Sequence, residues 1–520
     1  MKNPDPSVRS VPALVDFCER EFGPRDAFRW RGGEEIQTVS YARFAREARA
    51  LAAALAAQTQ PGEKIAVLGE NSYEWLVSWF AVMGAARVAV PLDPQLPSAD
   101  LLALLRKSGA SLLLCSANFE DVATAFSKAE SFGRAVFMKD TPALLAPYEG
   151  GNWPCEAQPD GLGAIVYTSG TTGEPKGVML SQWNFVSDAL SGVRHMGADS
   201  HETLTMLPFY HTIGITPAIL APLAMGCTIS LCKGAKYFKR DLETFSPQTM
   251  IIVPLIAQSM YQQVWDVAKK EGKDKLLRIL LKISGFLRKL GIDLRRKLFK
   301  TVIDAFGGKL EWMFCGGAAV SPEVVTGFAG FGIDLLPVFG ATECAPGISM
   351  NQRGVCKADS VGVAMDCNEI KLVDDEIWVK GDNVFMGYYE NEQATLDSLT
   401  PDGWFKTGDL GRFDEDNYLY ITGRIKNLII LSNGKNVSPE GLENKLMDIP
   451  FVAEALVYEQ GGEIVAELFP DAEVPDAAAR LEGEIMALNR NLPPYARIAK
   501  TVLRDTEFPK TSTKKIIRKR

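Results

Sequence analysis

The first 140 residues alternate between helical patterns and short apolar runs, and this alternation restricts the fold most strongly. Helical patterns at 46–58, 73–86 and 100–109 are each followed by a run rich in apolar and β-branched residues. The runs are KIAVLGE at 64–70, RVAVPLD at 87–93, SLLLCS at 111–116 and RAVFMK at 134–139. Such alternation is typical of βαβ units, in which helices cover a mostly parallel sheet. The sequence therefore predicts an α/β fold for this part.

The pattern changes after about residue 360. Short strands with turn residues between them, as in EIWVKG, GWFKTGD and YLYITGR, predict a β-rich subdomain up to 425. The remaining residues mix helical and strand patterns and predict a small α+β unit. A chain of 520 residues is long enough for more than one domain. We predict an N-terminal domain over 1–424 and a mobile C-terminal domain over 425–520.

One segment is long and apolar enough to suggest a membrane span. Residues 212–232 carry no charged side chain over 21 positions. Pro217, Pro222, Gly214 and Gly226 interrupt the segment. Because irregular backbone is costly in lipid, the segment predicts a buried helix and strand instead.

Charge and rare residues exclude several classes of function. A net charge of -8 and a pI of about 5.3 argue against nucleic acid as a partner. The nine cysteines form no CxxC pair, which indicates reduced thiols and a cytoplasmic location. Three histidines without HExxH spacing argue against a zinc site. The first residues lack the apolar core of a signal peptide.

The stretch YTSGTTGEPKG at 167–177 follows an apolar run directly. Glycine, serine and threonine are common in solvent-exposed turns. They also suit a phosphate-binding loop, in which backbone N–H groups and hydroxyls surround an anion and a lysine neutralises it. A Walker A spacing, GxxxxGK followed by Ser or Thr, is absent. Composition alone leaves both interpretations open.

The order of residues in this stretch resembles the signature of the adenylate-forming enzymes. That superfamily includes acyl-CoA synthetases, peptide-synthetase adenylation domains and beetle luciferases. Further segments resemble its other motifs in the same order: LPFYHTIG at 207–214, FCGGAAVSPEV at 314–324, VFGATE at 338–343, FKTGD at 405–409, GRIKN at 423–427 and FPKTSTKKIIR at 508–518. The resemblance covers nearly the whole chain and is closest to long-chain fatty acyl-CoA synthetases.

The resemblance implies that ATP activates a carboxylic acid as acyl-AMP with release of pyrophosphate. Charge builds on phosphoryl oxygens during this step, so cations and backbone donors are needed there. Glu343 is implied to hold Mg²⁺, a hard cation that prefers carboxylate and phosphate oxygens. The residues implied to surround the β- and γ-phosphates are Thr168, Ser169, Gly170, Thr171, Thr172, Gly173 and Lys176.

The same resemblance implies the nucleoside contacts. Thr342 lies near the α-phosphate, Asp409 accepts hydrogen bonds from the ribose hydroxyls, and Arg424 assists at the ribose or phosphate. At position 339 the family more often has tyrosine, and the phenylalanine here still allows stacking. The residues implied to surround adenine are Gly316, Gly317, Ala318, Phe339 and Gly340.

The C-terminal motif implies a catalytic lysine. Its pattern aligns Lys510, Lys515 and Arg518 with the family, and Lys515 is implied to reach the carboxylate and the α-phosphate. The family usually has glycine where this chain has Lys514. The alternative is a frayed basic tail without a catalytic role.

The second half-reaction brings the thiol of coenzyme A to the place that Lys515 occupied. The family turns its C-terminal domain about a hinge residue, which corresponds to Lys426. His211 is implied to border the acyl pocket and to orient the carboxylate. A histidine that is merely packed beside aromatic residues is the alternative.

Two regions of the sequence suggest which class of carboxylic acid is activated. The pocket lining is predicted to come from 209–227 and 314–340, which are mainly apolar, and 209–227 contain no aspartate to hold an α-amino group. Residues 269–300 hold twelve Lys or Arg and three Asp or Glu, a local charge of +9. Within them apolar residues recur at helical spacing, at 276, 280, 283, 287, 290, 294 and 298. This insertion predicts either a helix resting on an anionic bilayer or a solvated helix docked by that stripe with its charges outward.

The leading hypothesis is an ATP-dependent ligase that joins a medium- or long-chain fatty acid to coenzyme A. One alternative is an acyl-AMP ligase that loads a separate acyl carrier protein, and another is a CoA ligase for an aryl or steroid acid. A protein of another class, which binds acyl-AMP or lipid without catalysis, is opposed by the intact motif residues. Those residues are Lys176, Glu343, Asp409, Arg424 and Lys515.

Overall fold

The computed structural model describes most of the chain. The described residues are 7–128, 133–141, 146–148, 150–168, 175–196, 201–431, 435–449, 451–470, 477–510 and 516–518. They form two large mixed sheets, a four-stranded antiparallel sheet and a separate C-terminal unit. The α/β fold with a β-rich subdomain and a small α+β C-terminal unit is therefore confirmed.

The strands are numbered in chain order over the described residues. They are β1 (Asp26–Gly32), β2 (Glu35–Ser40), β3 (Lys64–Leu68), β4 (Val88–Leu92), β5 (Leu112–Cys115), β6 (Arg134–Phe137), β7 (Leu162–Thr168), β8 (Lys176–Ser181), β9 (Glu202–Thr205), β10 (Thr228–Leu231), β11 (Thr249–Ile252), β12 (Trp312–Cys315), β13 (Asp334–Gly340), β14 (Gly347–Met350), β15 (Val363–Ala364), β16 (Asn368–Val373), β17 (Glu376–Gly381), β18 (Gly387–Tyr388), β19 (Phe405–Phe413), β20 (Leu419–Arg424), β21 (Ile429–Ile430), β22 (Asn436–Val437), β23 (Val452–Gln460), β24 (Glu463–Pro470) and β25 (Lys500–Leu503).

The α-helices are numbered in the same way. They are α1 (Val11–Phe22), α2 (Tyr41–Ala56), α3 (Tyr73–Gly84), α4 (Ser98–Ser108), α5 (Glu120–Lys128), α6 (Gln182–Met196), α7 (Thr212–Ile215), α8 (Ala221–Ala224), α9 (Phe238–Phe245), α10 (Pro254–Lys270), α11 (Asp274–Lys289), α12 (Arg295–Leu298), α13 (Lys300–Ala305), α14 (Pro322–Phe331), α15 (Glu392–Ser398), α16 (Pro439–Met447) and α17 (Ala477–Arg490).

The seven-stranded sheet contains the alternating N-terminal segments. Its order is β18-β8-β7-β4-β3-β5-β6, and the strands from β7 to β6 run parallel. The predicted helices and strands of this region are present, although the helix predicted from 46 begins at Tyr41, where Ser40 accepts a hydrogen bond from the Arg43 N–H over 3.2 Å. Helix α3 is buried along its whole length apart from Glu74, as expected for a helix that is almost entirely apolar.

The nine-stranded sheet has the order β15-β14-β13-β12-β11-β9-β10-β1-β2. Its six central strands, from β13 to β1, are parallel. The outer strands β2, β14 and β15 are antiparallel to their neighbours. The hairpin of β1 and β2 was not among the predicted elements, because its exposed second strand is too polar to alternate clearly. The carboxyl ends of the central strands meet at one edge.

The uncharged segment 212–232 is a buried helix followed by a strand, as predicted. It consists of α7, a π-helical turn over Thr216–Leu220, α8 and the inner strand β10. Pro217 and Pro222 each lie at the start of a helical piece, where a missing N–H is tolerated. Among the described residues, no helix is long and apolar enough to cross a membrane.

The C-terminal unit has a hydrophobic core of its own within residues 429–498. Strands β23 and β24 are antiparallel, β25 runs parallel to β24, and α16 and α17 contribute to the core. Before it, β16, β17, β19 and β20 form the antiparallel β-rich sheet. A hydrogen bond of 3.2 Å joins Ser321 Oγ at the start of α14 to Asp448 Oδ1 at the end of α16.

In the basic insertion 269–300, the apolar residues are not arranged as the sequence predicts. Helix α11 runs through Gly285 and ends before Gly291, whose φ is +78°. Of the predicted stripe, positions 280 and 287 are half-buried, but 276, 283 and 290 are exposed. The prediction of one docked stripe with only charges outward is wrong, because apolar residues lie on two faces of the helix.

Candidate active site

Three of the predicted motifs meet at the carboxyl edge of the nine-stranded sheet. Strand β9 leads towards His211, β12 leads into Gly316, and β13 leads into Thr342 and Glu343. Because β9, β11, β12 and β13 are neighbouring parallel strands, their following loops share one edge, where ligands of open α/β sheets bind. The motifs are therefore adjacent in space although they are far apart in sequence.

The turn after β12 requires glycine. A Cβ at Gly316 would lie 2.7 Å from Val338 Cγ2 and 3.7 Å from Ile213 Cδ1, so the chain packs here without room for a side chain. Gly317 has a φ of +89°, which favours glycine. Gly317 and Ala318 are exposed on the far side of the turn. The turn thus presents bare backbone beside the segment that follows His211.

The turn after β13 is equally tight. A Cβ at Gly340 would lie 2.1 Å from the Pro346 carbonyl oxygen, and Phe339 is half-buried beside it. Thr342 and Glu343 follow in a short 3₁₀ turn and are both half-buried. The turn places the Glu343 carboxylate at the sheet edge with part of its surface open to a ligand.

Glu343, Lys176 and Tyr388 form a cluster that joins elements of the two large sheets. The Tyr388 hydroxyl donates a 2.7 Å hydrogen bond to Glu343 Oε1, and Lys176 Nζ lies 4.8 Å from the Tyr388 ring centre. Burial, together with the negative charge of Glu343, raises the pKa of Tyr388. The hydroxyl therefore keeps its proton and orients the carboxylate. Sequence reasoning missed Tyr388, which reaches this place because β18 pairs with β8.

The glycine-rich loop joins β7 to β8. Thr168 pairs with Lys176 at the end of this hairpin, and the Thr168 hydroxyl donates to the Lys176 carbonyl oxygen over 3.5 Å. The predicted phosphate-binding residues between them lie outside the described residues. Those residues are Ser169, Gly170, Thr171, Thr172 and Gly173. Lys176, at one end of the loop, belongs to the cluster with Glu343 and Tyr388, and Thr168, at the other end, is paired with Lys176.

Asp409 and Arg424 face one another in β19 and β20. Arg424 Nε donates to Asp409 Oδ1 over 2.6 Å, and a terminal nitrogen donates to Oδ2 over 3.3 Å. Asp409 is 4% exposed, whereas 47% of the Arg424 side chain is accessible. Burial opposes the charge on Arg424, but the negative charges of Asp409, Glu440 and Glu343 raise its pKa. Arg424 therefore interacts electrostatically with the carboxylates of both Asp409 and Glu343.

Lys515 lies outside the described residues, but the ends of its motif are described. Lys510 forms ion pairs with Glu454 and Glu507 and forms a β-bridge with Ile516. Arg518 pairs with Glu443 of α16. Because Lys510 and Arg518 are both engaged within the C-terminal unit, they act as anchors. The role of Lys515 stays a prediction.

Lys426 and His211 occupy two different positions in the fold. Lys426 is exposed in a 3₁₀ turn, Ile425–Asn427, directly after Arg424. The His211 ring packs on Tyr210 at 4.5 Å between ring centres. The roles of Lys426 as a hinge and of His211 at the acyl pocket stay predictions.

Asn71 fixes the loop before His211 and was missed by sequence reasoning. Its amide donates to the Leu207 carbonyl over 2.7 Å, and its side-chain oxygen accepts from the Phe209 N–H over 3.0 Å. Asn71 follows β3 of the seven-stranded sheet, so it ties the histidine loop to the other sheet. A lone asparagine in a GENS turn carries no local signal of this contact.

A buried carboxylate supports the loop that follows Glu343. Asp188 Oδ1 accepts hydrogen bonds from the Gly347 N–H over 2.9 Å and from Asn383 Nδ2 over 3.0 Å. Asn383 Nδ2 also donates to the Cys344 carbonyl over 2.7 Å. Burial, only partly offset by these bonds, raises the pKa of Asp188 from 3.8 to about 7. Asp188 and Asn383 thus position the segment that carries Glu343.

We expect Asp188 to make stability depend on pH. Because its pKa is higher in the folded state, the folded chain binds a proton that the unfolded chain has released between pH 3.8 and about 7. Stability should therefore fall as pH rises through this window, by a few kcal/mol at most, since each pKa unit corresponds to about 1.4 kcal/mol. Asp188→Asn should remove this slope in thermal unfolding measured from pH 4 to 8. Parallel pH profiles of the two proteins would contradict this assignment.

The donor set at Glu343 fits Mg²⁺ bound together with ATP phosphates. Among the described residues, no group of three or more His, Cys, Asp or Glu side chains is placed to hold a metal ion. Mg²⁺ is commonly held by one or two carboxylates with substrate phosphates and water completing its shell. One oriented carboxylate beside Lys176 matches that arrangement. When bound, Mg²⁺ would neutralise phosphate charge at this edge.

Comparison with known proteins agrees with this geometry. Residues 17–389 match the AMP-binding enzyme family model, and residues 426–520 match the AMP-binding enzyme C-terminal domain. The chain belongs to the AMP-binding enzyme family. A long-chain-fatty-acid–CoA ligase of Mycobacterium bovis is 28% identical over 451 residues, which cover 81% of this chain and 75% of that protein.

Two solved structures resemble this AMP-binding enzyme over nearly its full length. An anthranilate CoA ligase in complex with anthranoyl-AMP has a TM-score of 0.81 and 19% identity, covering 98% of this chain and 95% of its own. The o-succinylbenzoate CoA synthetase of Bacillus subtilis, in complex with ATP and magnesium, has a TM-score of 0.77 and 24% identity, covering 97% and 98%. At these identities the likeness shows the fold alone.

These findings confirm the adenylate-forming family and an AMP-forming ligase that joins an acid to coenzyme A. The relatives and neighbours are named for different acids.

Proposed function

We propose that this AMP-binding enzyme activates a medium- or long-chain fatty acid as acyl-AMP and transfers the acyl group to coenzyme A. The observation that carries the choice of acid is the uncharged segment after His211. Its helical turns are largely buried, and Ile213 reaches the glycine turn at Gly316. An apolar wall without a carboxylate suits an alkyl chain and offers no partner for an α-ammonium group. The Mycobacterium bovis relative is named for the same class of acid.

In the proposed first half-reaction, a carboxylate oxygen of the acid attacks the α-phosphorus of Mg·ATP. A P–O bond forms, and the bond to the pyrophosphate oxygen breaks. We assign Lys176, Thr168 and the loop 169–173 to the β- and γ-phosphates and Glu343 to Mg²⁺. Lys515 stabilises the carboxylate and α-phosphate, where charge develops.

The nucleoside contacts belong to the same proposal. The Asp409 carboxylate already accepts hydrogen bonds from Arg424. Its remaining lone pairs accept hydrogen bonds from the ribose hydroxyls. The glycine turn after β12 lies along adenine with Phe339 stacked on the base. Thr342 lies near the α-phosphate. Each of these groups is positioned by backbone or by an ion pair before substrate arrives, which lowers the cost of organising the site.

In the proposed second half-reaction, the thiolate of coenzyme A attacks the acyl carbonyl carbon, and AMP leaves with the electron pair of the broken C–O bond. We propose that the chain divides into units 1–424 and 425–520 and turns about Lys426 between the two steps. Support comes from the separate core of the C-terminal unit and from the exposed turn that contains Lys426. His211 borders the acyl pocket and orients the carboxylate.

The test is pyrophosphate release with octanoate, dodecanoate, palmitate, benzoate and a steroid acid, each without an acceptor, with coenzyme A, or with an acyl carrier protein. Each buried methylene contributes about 0.8 kcal/mol, so we expect kcat/KM to rise about tenfold or more from octanoate to dodecanoate. Multiple turnovers should require coenzyme A, because the acyl-AMP otherwise stays bound.

Other results of that experiment would replace the proposal. Release that stops after one turnover with coenzyme A, but continues with an acyl carrier protein, would identify the carrier as the acceptor. No response to fatty acids together with turnover of benzoate or the steroid acid would overturn the proposed acid and keep the chemistry.

A cytoplasmic location stays a prediction, consistent with nine free cysteines.

A further inference from the structure

The insertion that contains α11 is docked on α14 in a defined orientation. On the inner face, Ser284 is 3% exposed, and a Cβ at Gly330 would lie 2.9 Å from Leu281 Cδ2. Beyond the helix, Arg295 donates to the Ala329 carbonyl over 2.6 Å. One face of α11 is therefore fixed against the protein, and the opposite face is fixed outward.

The outward face of α11 carries a second apolar stripe. Its members follow one another at intervals of three and four residues, so they lie along one side of the helix. They are between 47% and 63% exposed and consist of Leu276, Ile279, Ile283, Phe286 and Leu290. A contiguous apolar stripe is uncommon on a soluble protein unless a partner covers it.

Basic residues flank this outer stripe. All five of them are exposed: Lys275, Arg278, Lys282, Arg288 and Lys289. The nearby carboxylates Glu271 and Asp293 pair instead with Lys273 over 2.8 Å and Arg295 over 2.6 Å. Within the described part of the chain, none of the five basic residues has a carboxylate within ion-pair distance. Arg278 lies over the Trp265 ring at 4.8 Å, and the charges of Asp293 and Arg288 interact without forming an ion pair. The surface therefore combines exposed aliphatic groups with basic residues that form no ion pair.

We propose that α11 docks with its outer stripe in the headgroup layer of an anionic lipid bilayer. Aliphatic side chains would enter the boundary of the acyl chains, and the flanking lysines and arginines would reach lipid phosphates. The charge favours this occupant over a second copy of the chain, because two insertions of +9 would repel one another. A nucleic acid would match the charge but offer little apolar surface. The proposal rests on this surface and does not depend on which acid the enzyme uses.

Vesicle flotation of the full-length protein tests the proposal. The wild-type protein should float with phosphatidylcholine vesicles that contain roughly one third phosphatidylglycerol, and high salt should weaken this binding. The combined variant Ile279→Ser, Ile283→Ser and Phe286→Ser should lower the bound fraction about tenfold or more. The combined variant Lys282→Glu, Arg288→Glu and Lys289→Glu should show a similar loss.

A matched control variant separates the stripe from general surface effects. Leu396→Ser with Lys239→Glu changes one exposed aliphatic residue and one exposed lysine elsewhere, and should bind vesicles as the wild type does. Unfolding temperatures establish that each variant is folded. The proposal is overturned if the wild-type protein does not float at low salt, or if both α11 variants bind like the wild type. It is also overturned if sedimentation shows a wild-type dimer that the serine variant dissociates, since a second copy would then cover the stripe.

Discussion

Lys515→Ala should abolish acyl-AMP formation while thioester formation from supplied acyl-AMP continues at close to the wild-type rate. The lysine charge is needed where the carboxylate meets the α-phosphate, and loss of one such group costs on the order of 10²–10³ in rate. In the second step the adenylyl group has already been transferred to the acid, so that charge is no longer required. The two half-reactions are measured separately, by pyrophosphate release and by acyl-CoA formation from synthetic acyl-AMP.

Lys514→Ala is the matched control for this prediction. Lys514 occupies the position at which the family usually has glycine, so its removal should leave adenylation nearly unchanged. Lys510 and Arg518 are held in ion pairs within the C-terminal unit, which leaves Lys514 and Lys515 to be distinguished. A loss caused by Lys514→Ala alone would shift the register by one residue. Equal loss of both half-reactions in Lys515→Ala would contradict the two-conformation scheme.

Glu343→Gln should lower kcat/KM for Mg·ATP by about a hundredfold and weaken the dependence on Mg²⁺. The amide keeps the shape of the side chain and an acceptor for the Tyr388 hydroxyl, so the fold is preserved. It loses the negative charge that a hard cation requires. The measurement is initial pyrophosphate release over a matrix of Mg²⁺ and ATP concentrations.

Tyr388→Phe is the companion to that variant. It keeps the carboxylate and removes one hydrogen bond to a charged group, which costs about 1.5–3 kcal/mol and corresponds to a loss of about ten- to a hundredfold. The Mg²⁺ dependence should therefore persist in Tyr388→Phe and fade in Glu343→Gln. An unchanged Mg²⁺ dependence in Glu343→Gln would remove Glu343 from the metal site.

Sequence reasoning identified the residues that belong to short local motifs. A glycine turn after a buried strand, as at Gly316, and an acidic residue after the next strand, as at Glu343, can be placed at one sheet edge from topology alone. The supporting residues cannot be found in this way. Asp188 contacts Gly347 across 159 positions and Asn383 across 195 positions. No local pattern indicates such contacts, because the tertiary fold creates them.

Helix α11 shows the limit of periodicity. The sequence predicts a single apolar stripe that either rests on a bilayer or docks on the protein, but the helix carries apolar residues on two faces, and 3.6-residue spacing fits either of them. Which face docks is decided by the partner surface, here the small Gly330 that admits Leu281. Strands β3 to β6 and helices α2 to α4 were predictable because each of these strands is a continuous apolar run next to a clear helical pattern.

The most direct test of the central claim is a single-turnover experiment with labelled palmitate, Mg·ATP and excess enzyme. We predict that, without a thiol, palmitoyl-AMP accumulates to nearly the full amount of palmitate, and that added coenzyme A converts it to palmitoyl-CoA with release of AMP. Formation of ADP and phosphate, or palmitoyl-AMP that coenzyme A does not consume, would contradict the account.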